Sequence, residues 1–388
     1  MRKTIFLVFV FIFLIITAGC ILYIPEEGGG YQRPPESSYY RDSYRNYDVD
    51  YFYDSLSPYG MWVNLSPHGY VWIPNNTPYR WHPYTYGRWV WTDYGWTWIS
   101  DYNWGWAPFH YGRWGYDNYL GWYWIPGYVW GPAWVSWRWG NLYIGWAPLP
   151  PDVRFYPGRG IYDISFNYPE YYWIFIEGRY FYNSDIYRYA LPRERNITII
   201  NYTSLHTRIE VENNRIVNRG IDIDEAGRWA RTRITKYELR DARESGKSRI
   251  GTGDVEIFRP EIGRNETAKP RTVLNENEAR TRIATPDRES SDRTRIKREE
   301  IQERERELME RSQQRELAEL EKKREDARRE AQTESEKKKK EEAINQEIST
   351  LKKRQEIEKS KLKERQKKEE EAKAEAEKKK KKERKEIK

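Results

Sequence analysis

Between residues 59 and 150, aromatic and polar positions alternate in short runs, the pattern a half-buried β-strand requires, and the runs recur in register. The first copy reads YGMWVNLSPHGYVWIP (residues 59–74), the second YGRWVWTDYGWTWIS (86–100) and the third YGRWGYDNYLGWYWIP (111–126). A worn fourth copy, SWRWGNLYIGWAP, covers residues 136–148. Turn formers separate the two aromatic runs of a copy, as at Thr92-Asp93, Asp117-Asn118 and Gly140-Asn141, so each copy predicts an antiparallel β-hairpin. Alternation then assigns faces. Tyr84, Tyr86 and Arg88 oppose Gly87, Trp89 and Trp91, while in the second strands Trp96 shares a face with Trp98, and Trp122 with Trp124. The arginine of the Arg-Trp pair recurs at 88, 113 and 138, a step of 25 that reads as one unit stacked on itself, joined by linker strands at 103–106 and 129–132. A glycine beside each aromatic leaves room for a cross-strand ring over the backbone. Arg88 and Arg113 can each stack on the tyrosine two residues before, worth roughly 0.5–1 kcal/mol.

From 154 to about 260 the chain stays strand-like but stops repeating. Residues 171–176 and 197–200 predict buried strands, 208–212 and 215–217 flank Asn213-Asn214 as a hairpin, and 220–224 and 255–258 alternate. Pro148, Pro150 and Pro151 cannot continue a ladder, which sets a boundary near 151 and makes the later stretch a small β-rich cap. Past Pro286 there is no glycine, proline or aromatic residue, and Glu, Lys and Arg stand three and four apart, a helix pattern. Its apolar positions are sparse: Ile301 and Leu308, then Ile344, Ile348 and Leu351. Without a sustained heptad seam, the expectation is a solvated single helix with short self-association sites, reaching on the order of 150 Å and frayed at 378–382.

At the other end, Arg2-Lys3 and an apolar run over 5–16 have the form of an export signal. Thr17-Ala18-Gly19-Cys20 follows, with the chain's single cysteine, and resembles the lipobox of bacterial lipoproteins. That resemblance implies lipidation at Cys20 and, with Ile21 rather than Asp next, the outer membrane. The alternative is an uncleaved anchor over 5–24. Residues with Gly28-Gly29-Gly30 and Pro34-Pro35 read as a tether. The organisation is therefore signal 1–19, tether 20–50, Trp/Tyr-rich β-repeat 51–151, small β-rich module 152–262, linker 263–287 and charged helical tail 288–388. In class it is mainly β, with repeated antiparallel hairpins and a long charged, coiled-coil-like helix.

The net charge of +8 sits in a tail where Glu interleaves with Lys and Arg, and export also argues against nucleic acid as a partner. His68, His82, His110 and His206 lack metal-ligand spacing, and neither a nucleophile elbow nor a phosphate loop occurs. Asp93, Asp101 and Asp117 could be set up for glycoside cleavage, but each sits in a turn signal. No enzyme, metal or cofactor is expected. The role expected is structural or scaffolding in the envelope, with the membrane as partner through the lipid and a glycan or protein through the repeat and tail. The alternative is glycan binding by exposed Trp96, Trp98, Trp122 and Trp124.

The run YTYGRWVWTDYGWTWISDYNWGWAPFHYGRW, with GWYWIPGYVWGPAWVSWRWG and IGWAPLPP after it, resembles an uncharacterised family of exported bacterial proteins with Tyr/Trp-Gly repeats. NITIIN and NNRIVNRGID extend the resemblance over roughly 50–260, leaving the tail outside it. It implies an all-β repeat and an envelope location, and offers no catalytic residues.

Overall fold

All four repeat copies fold as hairpins. The computed structural model describes residues 47–156, 160–162, 168–213, 215–284 and 291–386. After helix α1 (Val49–Leu56), whose buried stripe is Val49, Phe52, Tyr53 and Leu56, come β1 (Gly60–Leu65) with β2 (Gly69–Pro74) and β3 (Gly87–Thr92) with β4 (Gly95–Ser100). The third and fourth pairs are β5 (Arg113–Asp117) with β6 (Gly121–Ile125) and β7 (Val135–Gly140) with β8 (Tyr143–Pro148). Register places one tryptophan opposite another in every hairpin: Trp62 and Trp72, Trp89 and Trp98, Trp114 and Trp124, Trp137 and Trp146. These eight rings are at most 2% exposed and belong to one core. A buried indole withdraws on the order of 200 Å² from water, roughly 5 kcal/mol of gross hydrophobic free energy.

The hairpins are not stacked in chain order, and this corrects the expectation from their period. The first joins the third through β2 and β6, with Trp72 opposite Trp124, so Trp62, Trp72, Trp124 and Trp114 form one row across a sheet. The second lies in an eight-stranded sheet and the fourth in a four-stranded one. Rings that cover one face of a two-stranded ribbon are buried best against rings of another ribbon: Trp89 meets Trp137 at 4.6 Å and Trp146 at 5.7 Å. The linker strands are also absent, because 101–112 coils through short turns such as Gly105 N to Tyr102 O at 3.1 Å.

Two local expectations fare differently. A Cβ on Gly60 would lie 2.4 Å from Trp72 Nε1, and one on Gly112 2.8 Å from Trp124 Nε1, so the second-strand indole does rest on a glycine. The arginines choose other rings than expected. Arg113 lies over Trp134 at 4.1 Å rather than on Tyr111, and Arg138, with Ser136 two residues before it, lies over Trp173 at 5.6 Å.

Residues after 152 extend the hairpins' own sheets. Strand β9 (Ile174–Glu177) pairs with β8; β10 (Arg208–Glu212) and β11 (Arg215–Asn218) form the expected hairpin, and Asn218 of β11 pairs with Gly95 of β4. Strand β12 (Lys236–Asp241) runs parallel to β3 and carries β13 (Asp254–Ile257) outside it. Residues 197–200, expected as strand, are instead in helix α2 (Asn196–Tyr202), where Ile199 is fully buried and Asn196 Nδ2 donates to the Glu170 and Trp173 carbonyls. Packing there overrides β-branched preference. Residues 220–224 lead into α3 (Ile223–Ala230), whose N-cap Asp222 accepts from Asp224 N at 2.9 Å and Glu225 N at 3.1 Å. The expected linker holds Leu274, paired with β1, and α4 (Glu276–Ala284) with Ala279 fully buried.

The tail forms α5 (Ser291–Glu330) and α6 (Glu334–Glu386), 40 and 53 residues, so helix exceeds strand by residue count. The β-rich description fits the part before it. Cys20, the signal and the tether up to residue 46 lie outside the described residues. Among the described residues no helix is long and apolar enough to cross a membrane.

Candidate functional site beneath the helical hairpin

The tail is folded back on itself. Thr333 Oγ1 accepts from Glu336 N at 3.2 Å, an N-cap that starts α6, and Glu336 Oε2 accepts from Gln332 N at 3.3 Å just before it. On α6 the buried residues Ile344, Ile348, Leu351, Gln355, Glu358, Leu362 and Gln366 follow one another at steps of three and four. They face Gln302, Met309, Ser312, Gln313 and Glu316 of α5. Gln313 Nε2 donates to Glu358 Oε2 at 2.8 Å, and Gln355 Nε2 donates back to Gln313 O at 3.0 Å. The seam is a heptad seam with polar members, which is why a search for apolar positions misses it. An antiparallel helical hairpin thus replaces the expected solvated single helix.

Arginines of the β-body hold this hairpin. Arg195, fully buried at the start of α2, reaches Glu316 of α5 at 2.5 Å and Glu358 of α6 at 2.6 Å, and donates to Tyr143 Oη at 3.1 Å. One guanidinium therefore joins both helices to the body. Arg80 bridges Glu305 and Glu369, Arg365 returns from α6 to Glu194 at 2.5 Å, and Arg315 meets Glu177 at 2.6 Å. Burial disfavours charge on Arg195, but Glu316, Tyr143 and Glu358 outweigh it and hold its pKa above the usual value. Glu305 goes the other way: burial pushes it above the ordinary carboxylate range, and Arg80 offsets only part of that. Such pairs recover their desolvation incompletely, so they specify where the hairpin docks more than how tightly.

Between body and hairpin lies a cavity of about 380 Å³. Its body wall includes Trp81, His82, Tyr86, Tyr116, Trp122 and Trp173, and its roof is Ile301, Arg304, Glu305 and Leu308 of α5 with Arg365 and Glu369 of α6. Tyr86 stacks on Tyr187 at 4.7 Å, with the Arg304 guanidinium 5.9 Å over the Tyr187 ring. The His82 ring stands against Trp122 at 4.4 Å and its Nδ1–H donates to Pro83 O at 2.8 Å. Burial lowers the His82 pKa to about 4 and raises that of Tyr86 to about 12. Both are neutral at pH 7, and the arrangement suits binding better than proton transfer.

The four tryptophans named as a platform do not form one. Trp96, Trp98 and Trp124 are fully buried, and Trp122 is 7% exposed. Trp96 Nε1 donates to Ile221 O at 2.7 Å and Trp124 Nε1 to Tyr111 O at 2.7 Å, while Trp98 packs on Trp89 at 5.0 Å. Only Trp122 of the four reaches the cavity. The aspartates serve structure: Asp93 pairs with Arg215 and Asp101 with Lys247, and Asp117 Oδ1 accepts from Tyr119 N and Leu120 N. His110 is fully buried, its Nδ1–H donating to Gly131 O at 2.9 Å, and His206 stacks on Trp139 at 3.8 Å. Among the described residues no group of three His, Cys, Asp or Glu could hold a metal ion.

Sequence reasoning missed Arg195, Arg80, Glu305, Glu316 and Glu358. The spacing of Gln and Glu in step with Ile344, Ile348 and Leu351 was the available signal. The chain matches no curated protein and no solved structure. Residues 53–153, the stretch that carries the four hairpins, match an uncharacterised family, the Family of unknown function (DUF6600), in keeping with the resemblance carried by the Tyr/Trp-Gly motifs.

Proposed function

We propose that the protein is a non-enzymatic scaffold of the bacterial cell envelope, tethered by lipid at Cys20 to the outer membrane and presenting its helical hairpin to an envelope partner. The observation that carries this reading is the contrast along the hairpin. Around Glu316 and Glu358 it is clasped to the body by buried charge, whereas in the stretch beyond, residues 317–330 of α5 and 334–352 of α6, the only buried residues are Ile344, Ile348 and Leu351 on the seam between the two helices. The ion pairs of that free part, Lys323 with Glu347 and Arg328 with Glu341, run between the two helices and keep it straight. Some 14 residues beyond Glu316, at 1.5 Å each, give an arm of roughly 20 Å. A rigid body with a stiff, charged, solvated arm suits holding a partner at a set distance from a membrane.

The test places a photo-crosslinking residue at Arg324 or Glu342 in cells, and at Lys247 on the body as a control. Defined adducts from the arm, lost when Cys20→Ala releases the protein from the membrane fraction, are the expected result. Adducts from Lys247 alone, or membrane retention unchanged in Cys20→Ala, would count against the reading.

A further inference from the structure

The scaffold reading leaves the cavity under the hairpin without a role, and its walls are selective. We propose that it binds a carboxylated saccharide of about one or two rings. Its 380 Å³ lies at the small end of ligand-sized sites. Flat walls from Trp122, Tyr116 and the stacked Tyr86 and Tyr187 cover the apolar face of a sugar at little entropic cost. The three tyrosines also bring hydroxyls, which match a ring carrying hydroxyls better than a hydrocarbon.

Charge sets the sign of the ligand. The lining holds four arginines against two glutamates. Arg80 and Arg365 are engaged by Glu305, Glu369 and Glu194, whereas Arg304 faces the Tyr187 ring and Arg193 comes only to 3.6 Å from Glu194. With Glu194 counted beside the two lining glutamates, one positive charge is in surplus, and Arg304, held against a ring and with Arg193 only loosely paired beside it, selects a carboxylate and excludes a cationic guest that the rings alone would take. Tyr171, Arg193, Arg365 and Glu369 also line an open groove of about 630 Å³ along α6, through which the ligand could continue as a longer chain. The roof belongs to the hairpin, so the site exists only while the clasp is closed.

The experiment titrates the full chain in detergent with digalacturonic acid and with the disaccharide GlcNAc–MurNAc, two carboxylated sugars of different backbone, following tryptophan fluorescence. Saturable binding of at least one of them is expected, with chitobiose, which has no carboxylate, at least about tenfold weaker. Arg304→Gln should weaken the acidic sugar by about tenfold, and Lys323→Gln on the arm should not. If Arg304→Gln lowers the melting temperature, Arg193→Gln reads the same charge from the exposed rim. No saturation with either acidic sugar, equal affinity for chitobiose, or tighter binding of AMP than of both would each overturn the proposal. The crosslinking result from the arm is independent of all these outcomes, so the scaffold reading and this one fail separately.

Discussion

In the β-body, Trp89 and Trp98 meet ring to ring at 5.0 Å across β3 and β4; in the helical hairpin, Gln313 and Glu358 meet at 2.8 Å across α5 and α6. Both are buried contacts between facing elements, made from opposite chemistry. Rings are stabilised by leaving water and tolerate many mutual angles, as the tilted, stacked and perpendicular pairs of this core show. Amides and carboxylates must find a partner of correct geometry or cost more than they contribute. The body's core is therefore held by area, and the hairpin's position by direction.

Trp98→Ala should have the largest effect. It empties an indole-sized site inside the one aromatic core, at roughly 3–5 kcal/mol, and the melt of the β-body should shift as a whole. Near-UV circular dichroism and urea melts would measure it, and a loss below about 1 kcal/mol would mean that the core is not cooperative. A comparable but local effect is expected for Arg195→Ala, which leaves Glu316 and Glu358 buried against no cation, at roughly 3–5 kcal/mol. Hydrogen exchange should then rise in the hairpin while the β-body keeps its protection. Replacing all three, as Arg195→Met with Glu316→Leu and Glu358→Leu, should restore docking only in part, because the apolar triad carries no desolvation cost but leaves the buried Tyr143, Thr198 and Gln313 without the carboxylates they donate to. Lys323→Ala, at an exposed pair on the arm, should change stability by less than about 1 kcal/mol. If the triple change docked the hairpin as tightly as the native triad, burial rather than direction would be the larger contribution there.

Acid acts on the β-body through its two buried imidazoles. Burial lowers the pKa of both His82 and His110 to about 4, so between pH 6.5 and 4 the unfolded chain binds a proton at each that the folded body refuses. Stability should fall as pH drops through that window, by about 3 kcal/mol per imidazole, and level off for these groups below pH 4. Urea melts at pH 7, 5.5 and 4 would show the slope, and His110→Gln should remove about half of it. An unchanged slope in that variant would mean that the imidazole is not held neutral.

What the sequence determined by itself was local. Alternation over six residues and turn formers between runs are steric properties of the strand and its turn, so all four hairpins, and the one around Asn213, were legible. The glycines under Trp72 and Trp124 were legible for the same reason, since the ring lies one strand away. Only the tertiary structure decided which hairpin meets which, because Trp72 pairs with Trp124 across an intervening repeat. It also turned residues 197–200 into helix, where a packed Ile199 outweighs β preference. In the tail, Glu316 and Glu358 read as two more solvated charges among dozens. Their burial is set by Arg195, 121 and 163 residues away in sequence, and desolvation is a property of what packs against a carboxylate rather than of its neighbours along the chain.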